Sequence, residues 1–201
     1  DHDYGANDSG VNYKPRQASK EIFLDFFDEP AGSARRKREG VYTSTMLGVA
    51  DRKVQILMLD LRTFRSAIAK AKPKAYSEMG GYRPLRDDEE QVMLGEAQWK
   101  WLEVELRKSA AVRLIGLSTQ LGTAHNGYEA WTNIPKERER FLKLLEKTKA
   151  EGVVLLSGDT HWAEISLIER PGLYPLYDLT SSSLNQRWDP AGANPNRIGK
   201  A

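Results

Sequence analysis

The chain has 201 residues, enough for one domain with a real hydrophobic core and no need of covalent staples. It contains no cysteine, which excludes a disulfide framework and any thiolate metal site, and its net charge of +2 points to no strongly charged partner. No apolar run reaches the length of a membrane span, and the one concentrated basic run, Arg35-Arg36-Lys37-Arg38, is short and followed by Glu39, so it reads as a solvated loop rather than a nucleic-acid patch.

The sequence opens on Asp1-His2-Asp3 and runs through a polar loop at Gly5, Asn7, Asp8, Ser9 and Gly10. Ile22, Phe23, Phe26 and Phe27 then follow the i, i+4 spacing of a helix that buries that face and stops at Pro30. Residues 54–59 read as a strand ending at Asp60, and the Lys-, Pro- and Gly-rich stretch 66–86 as an exposed excursion. An amphipathic helix is expected around Leu94, Ala97, Trp101, Leu102 and Leu106, then a strand at 112–117. A further helix follows Pro135, burying Phe141, Leu142 and Leu145, with Gly152 as its C-cap. Residues 153–156 are so uniformly apolar that both faces of that strand should be covered. Segments around Ile165 and Tyr177 complete the strands, and Trp99, Trp101 and Trp131 fit packing roles. There is no internal repeat, low-complexity tract or shift of composition. Strands alternating with helices indicate a layered α/β domain.

The polar residues after the strands carry more information than the strands. Asp60 and Arg62 follow one, Ser118, Thr119 and Gln120 another, and Ser157, Asp159 and His161 a third. In layered α/β folds ligands sit beyond the carboxyl ends of strands, so these groups are expected at one crevice. Asp159 and His161, two apart in a Gly-led turn, suit a hard or borderline cation; the same tetrapeptide also suits an ordinary Gly-Asp turn with a hydrogen-bonded histidine. Arg62 and Arg65 are able to bind phosphate bidentately, though an arginine after a strand more often pairs with a carboxylate such as Asp60.

Five stretches, in order, resemble the signature motifs of PhoD-like alkaline phosphatases, a branch of the calcineurin-like metallophosphoesterases. They are Asp1-His2-Asp3-Tyr4-Gly5-Ala6-Asn7-Asp8, Leu59-Asp60-Leu61-Arg62-Thr63-Phe64-Arg65, Leu94-Gly95-Glu96-Ala97-Gln98-Trp99-Lys100-Trp101-Leu102, Ser157-Gly158-Asp159-Thr160-His161 and Leu179-Thr180-Ser181-Ser182-Ser183-Leu184-Asn185. Glu129-Ala130-Trp131, followed by Pro135 and Glu137-Arg138, also matches. The resemblance covers essentially the whole of 1–201 and implies the C-terminal portion of a four-layer αββα sandwich, incomplete at both ends. It implies metal-dependent hydrolysis of phosphate esters by a metal-activated water.

Carried over by position, Asp1, Asp159 and His161 are metal ligands. His2 is the general acid and phosphoryl contact, and Asp3 orients its imidazole. Arg62 and Arg65 are candidate substrate contacts, while Glu164 and Asp60 are candidate supporting partners of the site. Gln120 stands where many relatives outside this branch have a metal-binding histidine; His125 is placed to replace it from the loop, though an exposed loop histidine is the commoner reading. Asp in place of a first histidine at 159 favours iron with calcium or manganese over zinc, in a site of two or more ions.

The family's Gly-Asp-x-x-Asp motifs, which supply the bridging carboxylate, are not found in 1–201, so the isolated chain is expected to be a fragment with little activity. The expected partner is a small phosphate ester, with no nucleic-acid specificity, no membrane span and an oligomeric state the sequence does not fix. Extracytoplasmic localisation follows from the family alone. The alternative is a non-catalytic binding or structural relative of the same fold.

Overall fold

A computed structural model describes residues 2–71 and 81–200. After a short 3-10 turn at His2–Tyr4 come helices α1 (Arg16–Phe26) and α2 (Ala34–Lys37) and strands β1 (Thr43–Leu47) and β2 (Val54–Met58). A small hairpin, β3 (Ala69–Lys70) and β4 (Tyr82–Arg83), leads to α3 (Gly95–Leu106) and β5 (Val112–Gly116). The chain continues through α4 (Pro135–Thr148), β6 (Val153–Ser157), β7 (Ala163–Ile168) and β8 (Leu176–Ser181).

The main sheet has the order β1-β2-β5-β6-β8-β7; β2, β5, β6 and β8 are parallel, and the two edge strands run antiparallel to their neighbours. The two crossovers that march β2 to β5 to β6 each carry a helix, so α3 and α4 lie on one face, as a right-handed crossover demands. Against that face Leu57, Ile115, Leu155 and Leu176 meet Leu102, Leu106, Phe141 and Leu145, all fully or almost fully buried. Each such side chain contributes about 1.5–3 kcal/mol by leaving water. Helix α3 has no capping side chain of its own; instead the buried Glu137 of α4 accepts the N–H groups of Met93 and Leu94 at 2.8 and 3.2 Å and the Trp99 indole at 2.9 Å. At Gly116 the Met58 side chain packs over the backbone, its sulfur 2.6 Å from where a Cβ would stand, so a larger residue there would displace that half-exposed methionine.

The expected strands at 54–59, 112–117 and 153–156, those near Ile165 and Tyr177, and the two helices between are all present. This is a helix layer on a sheet, two of the four layers the resemblance implies. Three expectations differ. In α1 the buried residues are Lys20 and Leu24, while Ile22, Phe26 and Phe27 are exposed, because α1 turns its Lys20 side toward α2 and donates from that ammonium to the carbonyls of Arg36 and Arg38. The left-handed C-cap of α4 is Lys149; Gly152 has its own positive φ because its backbone runs against Ala111 at the entry to β6. The strand at 153–156 is covered on one face only by the described residues. Part of the excursion at 66–86, residues 72–80, lies outside the described residues, and its flanks form the β3–β4 hairpin.

The second face is apolar across the whole sheet: Met58, Val112, Leu156, Ile165 and Tyr177 are each between 37% and 49% exposed. They alternate with the buried Leu57, Arg113, Leu155, Glu164 and Asp178 on the helix side. The chain alone is expected to bind a hydrophobic dye such as anilinonaphthalene sulfonate and to self-associate. Replacing Leu156 and Ile165 together by lysine should reduce both, read by dye fluorescence and sedimentation; absence of dye binding by the native sequence would overturn this.

On the helix side, Asp178 is fully buried and accepts the N–H groups of Leu121 and Gly122 and the Ser157 hydroxyl at 2.9, 2.8 and 2.6 Å. Burial raises its pKa, partly opposed by those three donors. A carboxylate whose folded pKa lies above its unfolded value contributes stability below the unfolded value and loses it as pH rises through the folded one. Asp178→Asn keeps an oxygen for both backbone donors and removes the charge. Its stability relative to the native sequence should therefore improve as pH rises above the ordinary carboxylate range, about pH 4, followed by urea unfolding at each pH. A pH-independent difference would contradict the assignment.

Candidate active site

Three parallel strands, β2, β5 and β6, deliver loops 59–65, 117–131 and 158–162 to one edge of the sheet, and the N-terminal segment 2–13 lies over that edge. Two clefts form there and share Asp159. One, of about 350 Å³, is lined by Asp3, Tyr4, Asp60, Arg62, Ser118 and Asp159 among others. The other, of about 400 Å³, is lined by His2, Asn7, Asp8, Tyr82, Asp159 and His161, with Tyr128 and Trp188 on its aromatic side. Of the residues expected to converge from the ends of three strands, Asp60, Arg62, Ser118, Asp159 and His161 line these clefts, while Thr119, Gln120 and Ser157 do not.

The turn carrying Asp159 and His161 is held in an unfavourable backbone form. Both residues have positive φ, 75° and 61°, although neither is glycine. Such positions cost on the order of 1–3 kcal/mol each and persist where the surroundings over-determine them. Here the His161 N–H donates to the Ser182 hydroxyl at 3.0 Å and its carbonyl accepts the Trp188 N–H at 2.9 Å. The Trp188 indole stands edge-on to the imidazole, 5.9 Å between ring centres. Burial raises the Asp159 pKa, and the Asp8 carboxylate raises it further against the opposing charge of Arg62. The Nδ1 of His161 is buried without a hydrogen-bond partner. A buried imidazole nitrogen lacking a partner, beside a carboxylate that resists ionising alone, is a donor pair that a cation would satisfy.

Among the described residues, no three carboxylate or imidazole side chains are gathered closely enough to hold a metal ion. Asp159 and His161 therefore fit part of a metal site. Asp1, the third residue expected to bind metal, lies outside the described residues.

Arg62 and Arg65 converge on Glu129 rather than on Asp60. Arg62 Nη2 donates to Glu129 Oε2 at 2.9 Å, and Arg65 pairs with the other oxygen. Their remaining donors hold the N-terminal loop: Arg62 binds the Ser9 carbonyl at 2.9 Å, and Arg65 binds the carbonyls of Asp8 and Ser9. Arg65 is sealed, and burial beside Arg62 lowers its pKa to about 10. Arg62 alone of the pair borders a cleft, where burial lowers its pKa against the opposing carboxylates of Asp159, Asp8 and Asp3.

Asp60 organises backbone. It accepts the N–H groups of Val41, Arg62 and Thr63 and the Thr63 hydroxyl. Thr63 in turn meets the Tyr4 hydroxyl at 2.8 Å, so Asp60 fixes the turn that bears His2 and Asp3. Burial pushes the Tyr4 phenol up to about 12. His2 and Asp3 face different clefts on either side of Asp159.

Glu164, expected beside His161, is a partner of the end of β5 instead. It points to the helix side of β7, fully buried, and accepts from Gln120 at 2.5 Å, Asn194 at 3.0 Å and Arg197 at 2.5 Å. Gln120 is thus a core group, and His125, whose pKa burial lowers, lines neither cleft that contains Asp159. Asp8 and Glu129 were missed as site residues. Both lie inside quoted motifs, but only the fold shows Asp8 against Asp159, with the Tyr82 hydroxyl donating to its Oδ2 at 2.5 Å.

The sequence matches the PhoD-like phosphatase family over residues 6–189. The fold is similar to a solved structure titled "Structure of PhoD", with a TM-score of 0.63 and 18% identity over 91% of this chain and 38% of that one. The chain thus spans well under half of that protein. No curated protein matches the chain.

Glu129→Gln would leave two buried guanidinium groups facing a neutral amide. The expected cost is about 3–5 kcal/mol in urea unfolding, from breaking a buried ion pair on one side. A loss below about 1 kcal/mol, the range of exposed pairs, would show that the pair is not buried in solution.

Proposed function

The chain belongs to the PhoD-like phosphatase family, and we propose that it supplies the proton-donating and part of the cation-holding machinery for hydrolysis of small phosphate esters. The observation that carries this is the pairing of Asp159 with the partnerless Nδ1 of His161 in a strained turn, facing the cleft that His2 lines.

Asp159 and His161 would hold a cation, with Asp1 a further candidate ligand, and such a cation supplies Lewis acidity and an activated water. A carboxylate-rich donor set favours iron with calcium or manganese over zinc, in a site of two or more ions. His2 gives its proton to the departing ester oxygen, since an alkoxide leaves poorly without one. Asp3, the next residue along the turn, is the candidate to orient that imidazole. Arg62 offers its charge to a phosphoryl oxygen from the second cleft, while Glu129 keeps it aimed. Asp8, held by Tyr82, adds the negative charge that makes Asp159 demand a cation. An extracytoplasmic location accords with the family; among the described residues no helix is long and apolar enough to cross a membrane.

In the intact protein, His2→Ala should lower turnover of p-nitrophenyl phosphate by about 10²–10⁴, the usual worth of a positioned proton donor, with bound metal retained. Asp159→Ala should lose metal, measured by elemental analysis of the purified protein. Equal metal loss in both variants would contradict the separate roles, full activity in both would remove His2 and Asp159 from the machinery, and no turnover by the intact native protein would leave the non-catalytic reading standing.

A further inference from the structure

The basic run at residues 35–38, together with α1, builds a third cleft of about 420 Å³ beside the two just described. Six cationic side chains line it, Lys14, Arg16, Lys20, Arg36, Lys37 and Arg38, against one carboxylate, Glu39. Arg36 is paired with Asp25 at 2.8 Å and Glu21 at 3.5 Å, and Arg16 with Glu39 at 3.6 Å. Among the described residues, Lys14, Lys20, Lys37 and Arg38 have no carboxylate partner. Concave surfaces lined by one sign of charge focus their field and concentrate the opposite ion.

Two of these cations are fixed before anything binds. Lys20 is 7% exposed, its ammonium held by two carbonyls, which leaves one of its three donors for the cleft. The Arg38 guanidinium lies 3.7 Å above the Tyr42 ring with its Nε buried and without a partner. A stacked, immobilised guanidinium presents its remaining donors at little entropic cost. Lys20 also borders the cleft that contains Arg62 and Asp159, so the cationic cleft and that cleft share one side chain as a common wall.

We propose that this cleft binds a second phosphate group of the substrate, so that the preferred esters carry two phosphates, one at Asp159 and one among Lys14, Lys20, Lys37 and Arg38. The proposal rests on the phosphatase reading above and names its substrate class.

The test uses the intact protein with butyl phosphate and butanediol bisphosphate as paired substrates. The bisphosphate should have the lower KM. The double variant Lys14→Gln/Lys37→Gln, both at exposed positions that folding does not need, should narrow that KM ratio about fivefold, as expected for partly exposed charges. Separately, calorimetric titration with inorganic tripolyphosphate should show binding that the double variant weakens by a similar factor. Turnover of both esters with equal KM, or tripolyphosphate binding indifferent to the variant, overturns the second-phosphate site and leaves the phosphatase reading intact. Failure to turn over either ester, with charge-dependent tripolyphosphate binding retained, instead sinks the phosphatase reading and keeps the anion site.

Discussion

The site depends on one buried carboxylate. Glu129 sits on the loop after β5, receives Arg62 and Arg65 from the loop after β2, and through them fixes the carbonyls of Asp8 and Ser9 in the N-terminal segment. Three stretches distant in sequence meet at two oxygen atoms. Without that clamp, two largely buried guanidinium groups would be left without their shared counter-charge, and the segment bearing His2 and Asp8 would lose its anchor. Asp60 repeats the device on a smaller scale. Its four donors pin the turn at residues 60–63, and Thr63 passes that order to Tyr4.

These clamps work because the sheet beneath them is rigid on one side. Helices α3 and α4 cover a face of Leu57, Ile115, Leu155 and Leu176, and Glu137 ties the start of α3 to α4. The buried polar groups at the strand ends, Ser157, Asp178, Thr180, Gln120 and Glu164, hydrogen-bond among themselves, so the strands stop in register beneath the site. The other face is apolar and bare among the described residues. Burial there must come from outside these layers, and the apolar strand 153–156 is written for two covers where the helices provide one.

Periodicity and strand-end chemistry made the fold legible. The parallel strands follow from apolar runs ended by Asp60, Ser118 and Ser157, and their loops do meet at Asp159. What the sequence could not disclose is pairing across distance. Arg62 and Arg65 carry no sign in the sequence that both pair with Glu129, more than sixty positions away, which seals Arg65 and leaves Arg62 at a cleft. Glu164 looks like a neighbour of His161 by proximity, yet strand alternation turns it to the helix side toward Gln120. The phenylalanines of α1 suggested the buried face because apolar spacing carries no sign of which side a lysine can satisfy. Lys20 can be buried only because two carbonyls at the end of α2 accept from it.

The electrostatic layout gives these pieces a common direction. Asp8 faces Asp159, which sits in a turn whose backbone is already strained, and burial together with the Asp8 charge raises the Asp159 pKa. A few residues away, beyond Arg62 and Lys20, charge of the opposite sign accumulates in the cleft formed by α1 and the basic run. An anionic centre and a cationic cleft sharing a wall repel different things. On the function proposed above, a phosphorylated ligand seated beside Asp159 and His161 and extending toward Lys20 would answer both, its phosphate charge drawn to the cationic cleft and a cation balancing the carboxylates.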